Sequence, residues 1–447
     1  MASAAEQLAA NLNFGAFAKA TELKQRIWFT LVALIVYRLG SYIPIPGIDP
    51  QALADIFSQN QGGILGMFDM FSGGALGRMT LFALNIMPYI SASIIIQLMS
   101  AVSPQLEQLR KEGETGRKKL NQYTRYLTVL LAAFQSFGIA VGLEGMSGSA
   151  GGAVINPGIF FRVSTMVTLT GGTMFLMWLG EQITARGVGN GISLIIFSGI
   201  VANLPHALAA TLELGRTGAL SSAFIVLLLV MAFGVVTAIV YLERAQRRIL
   251  VQYPKRQVGN KMFGGEATHL PLKINTSGVI PPIFASSLLL LPLTVVNFYS
   301  GQGPEWLTYF STYFSHGQPL YIVAYVALIT FFAFFYTAVV FNPVETADNL
   351  KKYGGFIPGI RPGKTTADYL DYVLTRLTVL GAIYLSVVSV LPEILISQYS
   401  VPFYFGGTSL LIVVSVTMDT VAQIHSHLLA HQYEGLIKKA KLRGRRG

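Results

Sequence analysis

Residues 319–341, PLYIVAYVALITFFAFFYTAVVF, contain no charged side chain. A helix needs about 20 predominantly apolar residues to cross a bilayer, so this stretch predicts a transmembrane helix. The whole chain shares this character, because 52% of its 447 residues are hydrophobic and only 12% are charged, whereas soluble proteins average about 25% charged residues. The sequence therefore excludes a soluble globule and a disordered chain, and it predicts a polytopic membrane protein.

Ten stretches of the chain meet the same requirement of length and apolar composition. Their approximate bounds are 27–43, 80–102, 122–143, 160–180, 187–204, 222–242, 276–297, 319–341, 374–392 and 404–429. Because five spans per half is an odd number, two halves that share one fold must be inverted relative to each other. We predict an all-α polytopic membrane protein with ten transmembrane helices in two inverted five-helix halves.

The net charge of +11 is distributed very unevenly along the chain. Of the 32 lysines and arginines, 28 lie in the two terminal tails and in the loops that follow even-numbered spans. The remaining four are Arg38, Arg78, Arg162 and Arg216. Cytoplasmic loops carry the excess of basic residues in membrane proteins, so both termini and the even-numbered loops are predicted to be cytoplasmic.

Spans and charges together divide the chain into five predicted parts. These are a cytoplasmic amphipathic segment at 1–26, an N-terminal half at 27–204, a non-cytoplasmic connection at 205–221, a C-terminal half at 222–430 and a basic cytoplasmic tail at 431–447. Cytoplasmic loops at 243–275 and 342–375 lie within the C-terminal half.

The sequence offers no group of residues for catalysis. There are no cysteines, which excludes disulfides, thiolate metal sites and cysteine nucleophiles. Two glycine-rich stretches, RGVGNG at 186–191 and SGGALGR at 72–78, match neither phosphate-binding motif, and glycines in membrane helices more often permit close packing. We therefore predict neither an enzyme nor a cofactor site.

Ionisable residues within the spans are scarce, although such residues usually mark functional sites in membrane proteins. Asp419 is the only acid well inside a span, and a local hydrogen bond near the cytoplasmic end explains it better than ion coupling. His425, His427 and His431 follow a spacing that a metal could use, but interfacial histidines at a helix end are the favoured interpretation. No metal site is predicted, and a ten-span secondary transporter with inverted repeats is the alternative function.

Residues 64–78, ILGMFDMFSGGALGR, are apolar but too few to span a bilayer. Such a segment lies at the membrane interface or folds back into the helix bundle as a movable stopper, and composition allows both. Pairs of isoleucines four residues apart, Ile86 with Ile90 and Ile192 with Ile196, each share one helix face. They predict either a dry constriction that blocks ions or ordinary core and lipid-facing positions.

Longer runs of the sequence carry a resemblance to a known family. They are SYIPIPGID (41–49), MFSGGAL (70–76), MPYISASIIIQL (87–98), KEGETGRKKLNQYTRY (111–126), MFLMWLGEQIT (174–184), RGVGNGISLIIF (186–197), THLPLKIN (268–275), FNPVETADNLKK (341–352), GIRPGK (359–364), TRLT (375–378) and VPFYFGGTSLLI (401–412). From about residue 22 onward the chain resembles the SecY family, the channel subunits of the bacterial protein translocase.

This resemblance implies a central channel that passes unfolded secretory polypeptides across the membrane and releases membrane segments sideways into lipid. It implies a central hourglass pore and a lateral gate between the second and seventh spans. The implied pore ring consists of Ile86, Ile90, Ile192, Ile196, Ile283 and Ile412. The implied plug contains Ile64, Leu65, Met67, Phe68, Met70, Phe71, Gly73, Gly74 and Arg78.

The resemblance also implies polar gate residues and docking loops. Gln97 and Asn275 match positions beside the gate, where we expect their hydrogen bonds to hold it closed. The docking residues for SecA or the ribosome, including ribosomal RNA, are Arg256, Lys261, Arg361, Pro362 and Gly363. The family pattern often has two arginines after Gly259, whereas this chain has Asn260 and Lys261, one charge fewer.

The other implied partners are the SecE and SecG subunits, signal sequences, nascent polypeptides and membrane lipid. The implied location is the bacterial inner membrane, with multiple passes and both termini in the cytoplasm.

Overall fold

The structure is a computed structural model that describes residues 21–53, 69, 72–145, 147–148, 151–217, 221–253, 256–258, 261–263, 267–298, 313, 318–399 and 407–443. Most of the predicted amphipathic segment 1–26 lies outside these residues, as do residues 64–68, 70 and 71 of the predicted plug segment 64–78.

Helices dominate the described residues. In the N-terminal part they are α1 (Thr21–Gly40), α2 (Met87–Val102), α3 (Pro104–Lys111), α4 (Glu114–Gly145), α5 (Ile159–Arg186) and α6 (Gly191–Arg216). In the C-terminal part they are α7 (Ser222–Arg244), α8 (Ile280–Phe298), α9 (Pro319–Val340), α10 (Pro343–Lys352), α11 (Lys364–Tyr399) and α12 (Gly407–Arg443).

Short antiparallel strand pairs connect some of these helices. They are β1 (Ser147–Gly148) with β2 (Gly151–Gly152), β3 (Gln246–Gln252) with β6 (Ala267–Lys273), and β4 (Arg256–Val258) with β5 (Lys261–Phe263). The β3–β6 pair runs from Gln246 opposite Lys273 to Gln252 opposite Ala267. The predicted cytoplasmic loop 243–275 therefore contains an ordered hairpin.

Each of the ten predicted spans falls on a helix of the structure. Among the described residues, seven helices are long and apolar enough to cross a membrane by themselves, and the bent pair α2–α3 makes an eighth if it is one span. Helix α1 misses this test because Lys24, Arg26 and Arg38 crowd its ends, and α8 because its described apolar part is only Ile280–Leu289. An α-helical polytopic membrane protein is confirmed.

Two helix bounds differ from the sequence prediction for clear physical reasons. Helix α2 begins at Met87 rather than near 80, since residues 80–86 form turns in which Asn85 adopts a positive φ of 49°. Helix α6 continues through Pro205 to Arg216, and so occupies most of the predicted connection 205–221. Proline is tolerated inside a membrane helix when neighbouring groups satisfy the backbone that it frees.

The chain leaves α2 through a sharp bend. Helices α2 and α3 meet at 100°, and the residue between them, Ser103, is extended with φ −91° and ψ 120°. A residue before proline disfavours the helical region, so Pro104 accounts for this break. The bend starts the charged segment that contains the ion pair between Lys111 Nζ and Glu107 Oε1 at 2.7 Å.

By backbone contacts, the chain divides into two units. Unit 1 comprises Met1–Asn203 and Val416–Gly447, and unit 2 comprises Leu204–Ser415. The boundary near 203 lies next to the predicted boundary between halves, and the end of α12 groups with the first half. Helix α12 therefore contributes residues to both units.

Each unit has its own apolar core. In unit 1, a cluster that includes Ile45, Leu53, Met79 and Leu169 is buried where α5 packs on α4 and on the turn before α2. In unit 2, the β3–β6 hairpin packs on α11, where the cluster comprises Ile249, Val251, Leu272, Ile357, Leu370, Val373, Leu374 and Leu377. The hairpin is thus anchored to a predicted span.

Apolar side chains are also abundant on the outside. Helix α7 buries only 17% of its most apolar window, and Val226 and Phe233 are 60% and 75% exposed. A continuous apolar outer surface of this extent is costly in water, and in a bilayer it meets lipid tails.

Helix α5 packs so closely on the turn before α2 that only glycine fits at one position. A Cβ atom on Gly172 would lie 2.1 Å from the Leu81 carbonyl oxygen, whereas a Cβ atom on Gly171 would meet nothing within 4 Å.

We expect Gly172→Ala to lower stability by about 1–3 kcal/mol, because overpacking forces the backbone to shift. Thermal unfolding of the purified protein in detergent measures the loss. Gly171→Ala is the matched control and should unfold like the parent protein. Equal behaviour of the two variants would contradict the close packing.

Candidate functional site

Four of the six implied pore isoleucines lie in unit 1, in or next to α2 and α6. Ile86 immediately precedes α2, and the Ile90 N–H donates to its carbonyl oxygen at 3.1 Å. Ile86, Ile90 and Ile196 are buried, and Ile192 is half-buried at the start of α6. The three buried side chains do not face lipid, so the lipid-facing interpretation is removed for them. A dry constriction and ordinary core positions both fit their burial.

The other two implied pore isoleucines lie in unit 2. Ile283 is half-buried in the first turn of α8, and Ile412 is buried in α12. The Ile283 carbonyl oxygen accepts hydrogen bonds from Ser286 Oγ at 2.9 Å and from Ser287 Oγ at 2.8 Å. That all six side chains form one ring stays a prediction.

The end of the predicted plug forms a tight turn that two arginines hold. Gly73 and Gly74 have φ values of 67° and 82°, a left-handed conformation that glycine adopts at no steric cost. The Gly73 carbonyl oxygen accepts from Arg38 Nη1 at 3.3 Å and from Arg78 Nη2 at 3.2 Å. The Arg78 guanidinium also lies 4.3 Å from the centre of the Tyr42 ring, which adds a cation–π attraction.

A carboxylate organises the same turn from inside. Asp69 Oδ1 accepts from the Gly77 N–H at 2.6 Å and from Ser72 Oγ at 3.4 Å. Burial raises the pKa of Asp69, while the hydrogen bond from Gly77 and the charge of Arg78 act in the opposite direction. Of the other predicted plug residues, Ile64, Leu65, Met67, Phe68, Met70 and Phe71 lie outside the described residues.

The two predicted gate residues make different local contacts. Gln97 Nε2 donates to Ser93 Oγ one turn earlier on α2 at 3.0 Å, while the buried Gln97 Oε1 has no partner among the described residues. Asn275 is buried, and its Nδ2 donates to Glu243 Oε1 at 2.7 Å and to the Gly278 carbonyl oxygen at 3.0 Å. Asn275 is therefore held by the end of α7.

The predicted docking residues belong to two neighbouring pieces of unit 2. Arg256 and Lys261 lie in β4 and β5, and their side chains are outside the described residues. Arg361 and Pro362 are exposed beside Gly363, whose φ is 111°. Gln252 at the end of β3 exchanges two backbone hydrogen bonds of 2.9 Å with Phe356, which ties the hairpin to the loop that carries Arg361.

Asp419 is exposed and lines a cavity of about 410 Å³ in unit 1. Its other lining residues are Asn190, Ser193, Val416, Thr420, Ala422, Gln423 and Ser426. The neighbouring Thr420 hydroxyl donates to the Val416 carbonyl oxygen at 2.7 Å, and the local hydrogen bond expected for Asp419 stays a prediction. In the described part of the chain no three His, Asp or Glu side chains cluster as metal ligands, and the His431 side chain lies outside that part.

Sequence reasoning missed several residues that organise these positions. Asp69 and Ser72 precede a glycine pair, a pattern typical of turns, and could have been found. Glu243, Thr30 and Gln423 carried no local signal, because their partners lie far away in the chain. Thr30, for example, accepts the N–H of Val188, 158 residues away, at 3.0 Å.

The comparisons with known proteins agree on one family. The SecY family profile matches residues 80–421. The chain is 59% identical to protein translocase subunit SecY of Rickettsia conorii over 94% of this chain and 97% of that one. It is 57% identical to the protein of the same name from Escherichia coli K12, over 95% and 96% of the two chains.

Solved structures show the same fold at low sequence identity. A structure described as a protein-conducting channel matches with a TM-score of 0.65 at 17% identity, over 92% of this chain and 93% of that one. Sec61 in a canine ribosome–channel complex matches with a TM-score of 0.62 at 16% identity, with the same coverage.

The fold and the buried isoleucine-bearing helices define a class: α-helical polytopic membrane proteins with the fold of protein-conducting channels. Within this class, the chain belongs to the SecY family, the channel subunits of protein translocases, which are not enzymes. Family membership gives no support to the alternative of a secondary transporter.

The charged hydrogen bond between Glu243 and Asn275 should contribute measurably to stability. We expect Glu243→Ala to cost about 1.5–3 kcal/mol, because the buried Asn275 amide loses a charged acceptor. Thermal unfolding in detergent gives the difference. Glu243→Gln keeps an oxygen acceptor and is expected to lose less than half as much. An alanine variant as stable as the parent would contradict this role.

Proposed function

We propose that the chain is the central channel through which unfolded secretory polypeptides cross the bacterial inner membrane. The burial of branched side chains at the pore positions, Ile86, Ile90, Ile196 and Ile412 above all, carries this proposal. A translocating chain is varied in sequence, so a pore cannot hydrogen-bond it specifically. Branched alkyl groups part around any side chain, and they offer ions no ligands when they close.

The turn around Gly73, whose carbonyl oxygen Arg38 and Arg78 contact, supports the plug assignment. Asp69 and Arg78 fix the turn from within, and Arg38 connects it to α1 in the same unit. In this proposal, segment 64–78 moves away when a polypeptide enters, while the turn around Gly73 stays attached as its hinge.

Signal sequences and membrane segments leave the channel sideways into lipid in this proposal. A signal sequence contains about 7–15 apolar residues, which gain by reaching lipid once the gate opens. In this proposal Gln97 and Asn275 border the gate; the described residues show them bonded to Ser93, and to Glu243 and Gly278. Hydrogen bonds that form between membrane helices contribute about 0.6–2 kcal/mol each. A gate closed by a few such bonds opens at a cost that an apolar segment can meet.

The basic loops face the cytoplasm in this proposal, as do both termini. SecE and SecG are the proposed companion subunits, and SecA or the ribosome docks on the loops that contain Arg256, Lys261 and Arg361. Exposed arginine and lysine suit anionic partners, such as acidic protein patches and the phosphates of ribosomal RNA. The basic flanks also suit the anionic lipids of the cytoplasmic leaflet.

A stalled secretory chain should crosslink to the pore positions. Because the chain has no cysteine, single cysteines at positions 86, 192, 283 and 412 label without background in a translocase reconstituted with SecE. We expect each to crosslink to the stalled chain several-fold more than Val226→Cys and Phe233→Cys on the outer face of α7. Pore positions that label no better than these two would show that the pore assignment is wrong.

Reversing the charge at the loop tip should weaken docking. We expect Arg361→Glu to reduce SecA or ribosome binding to proteoliposomes about tenfold or more at low salt, with a smaller effect at high salt because of screening. Co-sedimentation over a salt series measures this. Arg216→Glu, an exposed arginine predicted on the opposite side, is the control. An equal loss in both variants would argue against the loop as the docking surface.

A further inference from the structure

The loop between α5 and α6 is buried, so its backbone N–H and C=O groups need hydrogen-bond partners. Gly187, Val188 and Gly189 are all buried. Val188 packs with Leu23 of α1 in a small apolar cluster that Ile424 and other side chains complete. The loop is thus enclosed between α1 and the end of α12, all within unit 1.

Side chains from separate helices satisfy the amides of this loop. Buried backbone N–H groups without partners are costly, so their acceptors determine where the loop can sit. Thr30 Oγ1 of α1 accepts from Val188 N at 3.0 Å, and Gln423 Oε1 of α12 accepts from Gly189 N at 2.9 Å. Other amides here have local acceptors: Gly187 N donates to Ile183 O at 2.7 Å, Gly191 N to Thr184 Oγ1 at 2.9 Å and Ile192 N to Asn190 Oδ1 at 3.1 Å. On the carbonyl side, Arg26 Nη1 of α1 donates to the Gly187 oxygen at 3.4 Å.

The loop leads directly into the start of α6, where two of the implied pore residues, Ile192 and Ile196, lie. Gly191, the first residue of α6, lies so close to α5 that a Cβ there would be 1.9 Å from the Gly180 carbonyl oxygen. Ile192 follows at once, and a Cβ on Gly180 would lie 3.2 Å from its Cγ1. The start of α6 therefore packs closely on α5, and Ile192 and Ile196 follow the loop within the first two turns of the same helix.

We propose that Thr30 and Gln423 are positioning residues that hold the start of α6, and with it Ile192 and Ile196, in the closed arrangement of the pore. The inference rests on the proposed function of these isoleucines as part of the pore ring. Each of these side chains supplies the acceptor for one buried loop amide: Thr30 for Val188 N–H and Gln423 for Gly189 N–H. Separation of the α12 end from the loop removes one acceptor and releases the first turn of α6.

The test uses paired variants of the full translocase complex in proteoliposomes. Gln423→Met and Thr30→Val remove the acceptors with little change of shape, whereas Gln423→Glu and Thr30→Ser retain an oxygen. Ser426→Ala is the control, because it lines the same cavity while its hydroxyl donates to the Gln423 carbonyl oxygen rather than to the loop. Ile196→Asn serves as a direct disruption of the proposed ring.

Two measurements are made on each variant. Hydrogen–deuterium exchange of the peptide covering 187–191 reports the hydrogen bonds that Thr30 and Gln423 accept from the loop. We expect Gln423→Met and Thr30→Val to speed this exchange about tenfold. Ion leak through the resting channel reports the ring, and we expect about a fivefold rise in these two variants. Gln423→Glu, Thr30→Ser and Ser426→Ala should stay near the parent in both measurements.

The outcomes separate the inference from the proposed function. Faster exchange with unchanged leak, when Ile196→Asn leaks, overturns the positioning role and leaves the pore assignment intact. Unchanged exchange in both acceptor-removing variants would show that Thr30 and Gln423 do not hold the loop. If Ile196→Asn does not leak either, the pore assignment fails and the positioning role fails with it. The inference is supported if Gln423→Met or Thr30→Val leaks while the matching Gln423→Glu or Thr30→Ser variant does not.

Discussion

The hydrocarbon core of a bilayer offers backbone amides no hydrogen-bond partner, and the described architecture follows from this constraint. Within each span, a helix pairs the backbone N–H and C=O groups with one another. Side chains follow the same rule, since Thr124, Thr128 and Ser136 of α4 each donate to the carbonyl oxygen four residues earlier, at 2.5–3.0 Å. Where the chain leaves helical structure in a buried place, as at 187–191, side chains of distant helices supply the missing acceptors.

The same constraint makes glycine a structural residue at close contacts. Helices in lipid gain nothing from hiding apolar surface from water, so they associate through close packing. Gly172 and Gly191 lie where another backbone comes within reach of a Cβ atom. Close packing of this kind defines the position of α6, and the isoleucines at its start inherit that position.

Apolar side chains of this chain differ in burial in a way that composition does not reveal. Phe233 on α7 is 75% exposed, whereas Ile86 is fully buried. Three arginines lie outside the helices or near a helix end: Arg38 and Arg78 contact the turn around Gly73, and Arg361 lies in a loop that the β3–β6 hairpin supports.

Sequence alone determined the membrane class, the ten helical segments and the asymmetric distribution of charge, because hydropathy acts locally over about 20 residues. The isoleucine pairs remained ambiguous in sequence, since a spacing of four residues identifies a shared face but not what that face meets. Only the tertiary structure showed that Ile86, Ile90 and Ile196 are buried and Ile192 half-buried, that α2 begins after a turn, and that Asn275 pairs with Glu243. The bond from Gly189 to Gln423 joins residues 234 apart. No local pattern encodes such a contact, because it exists only once separate helices have packed.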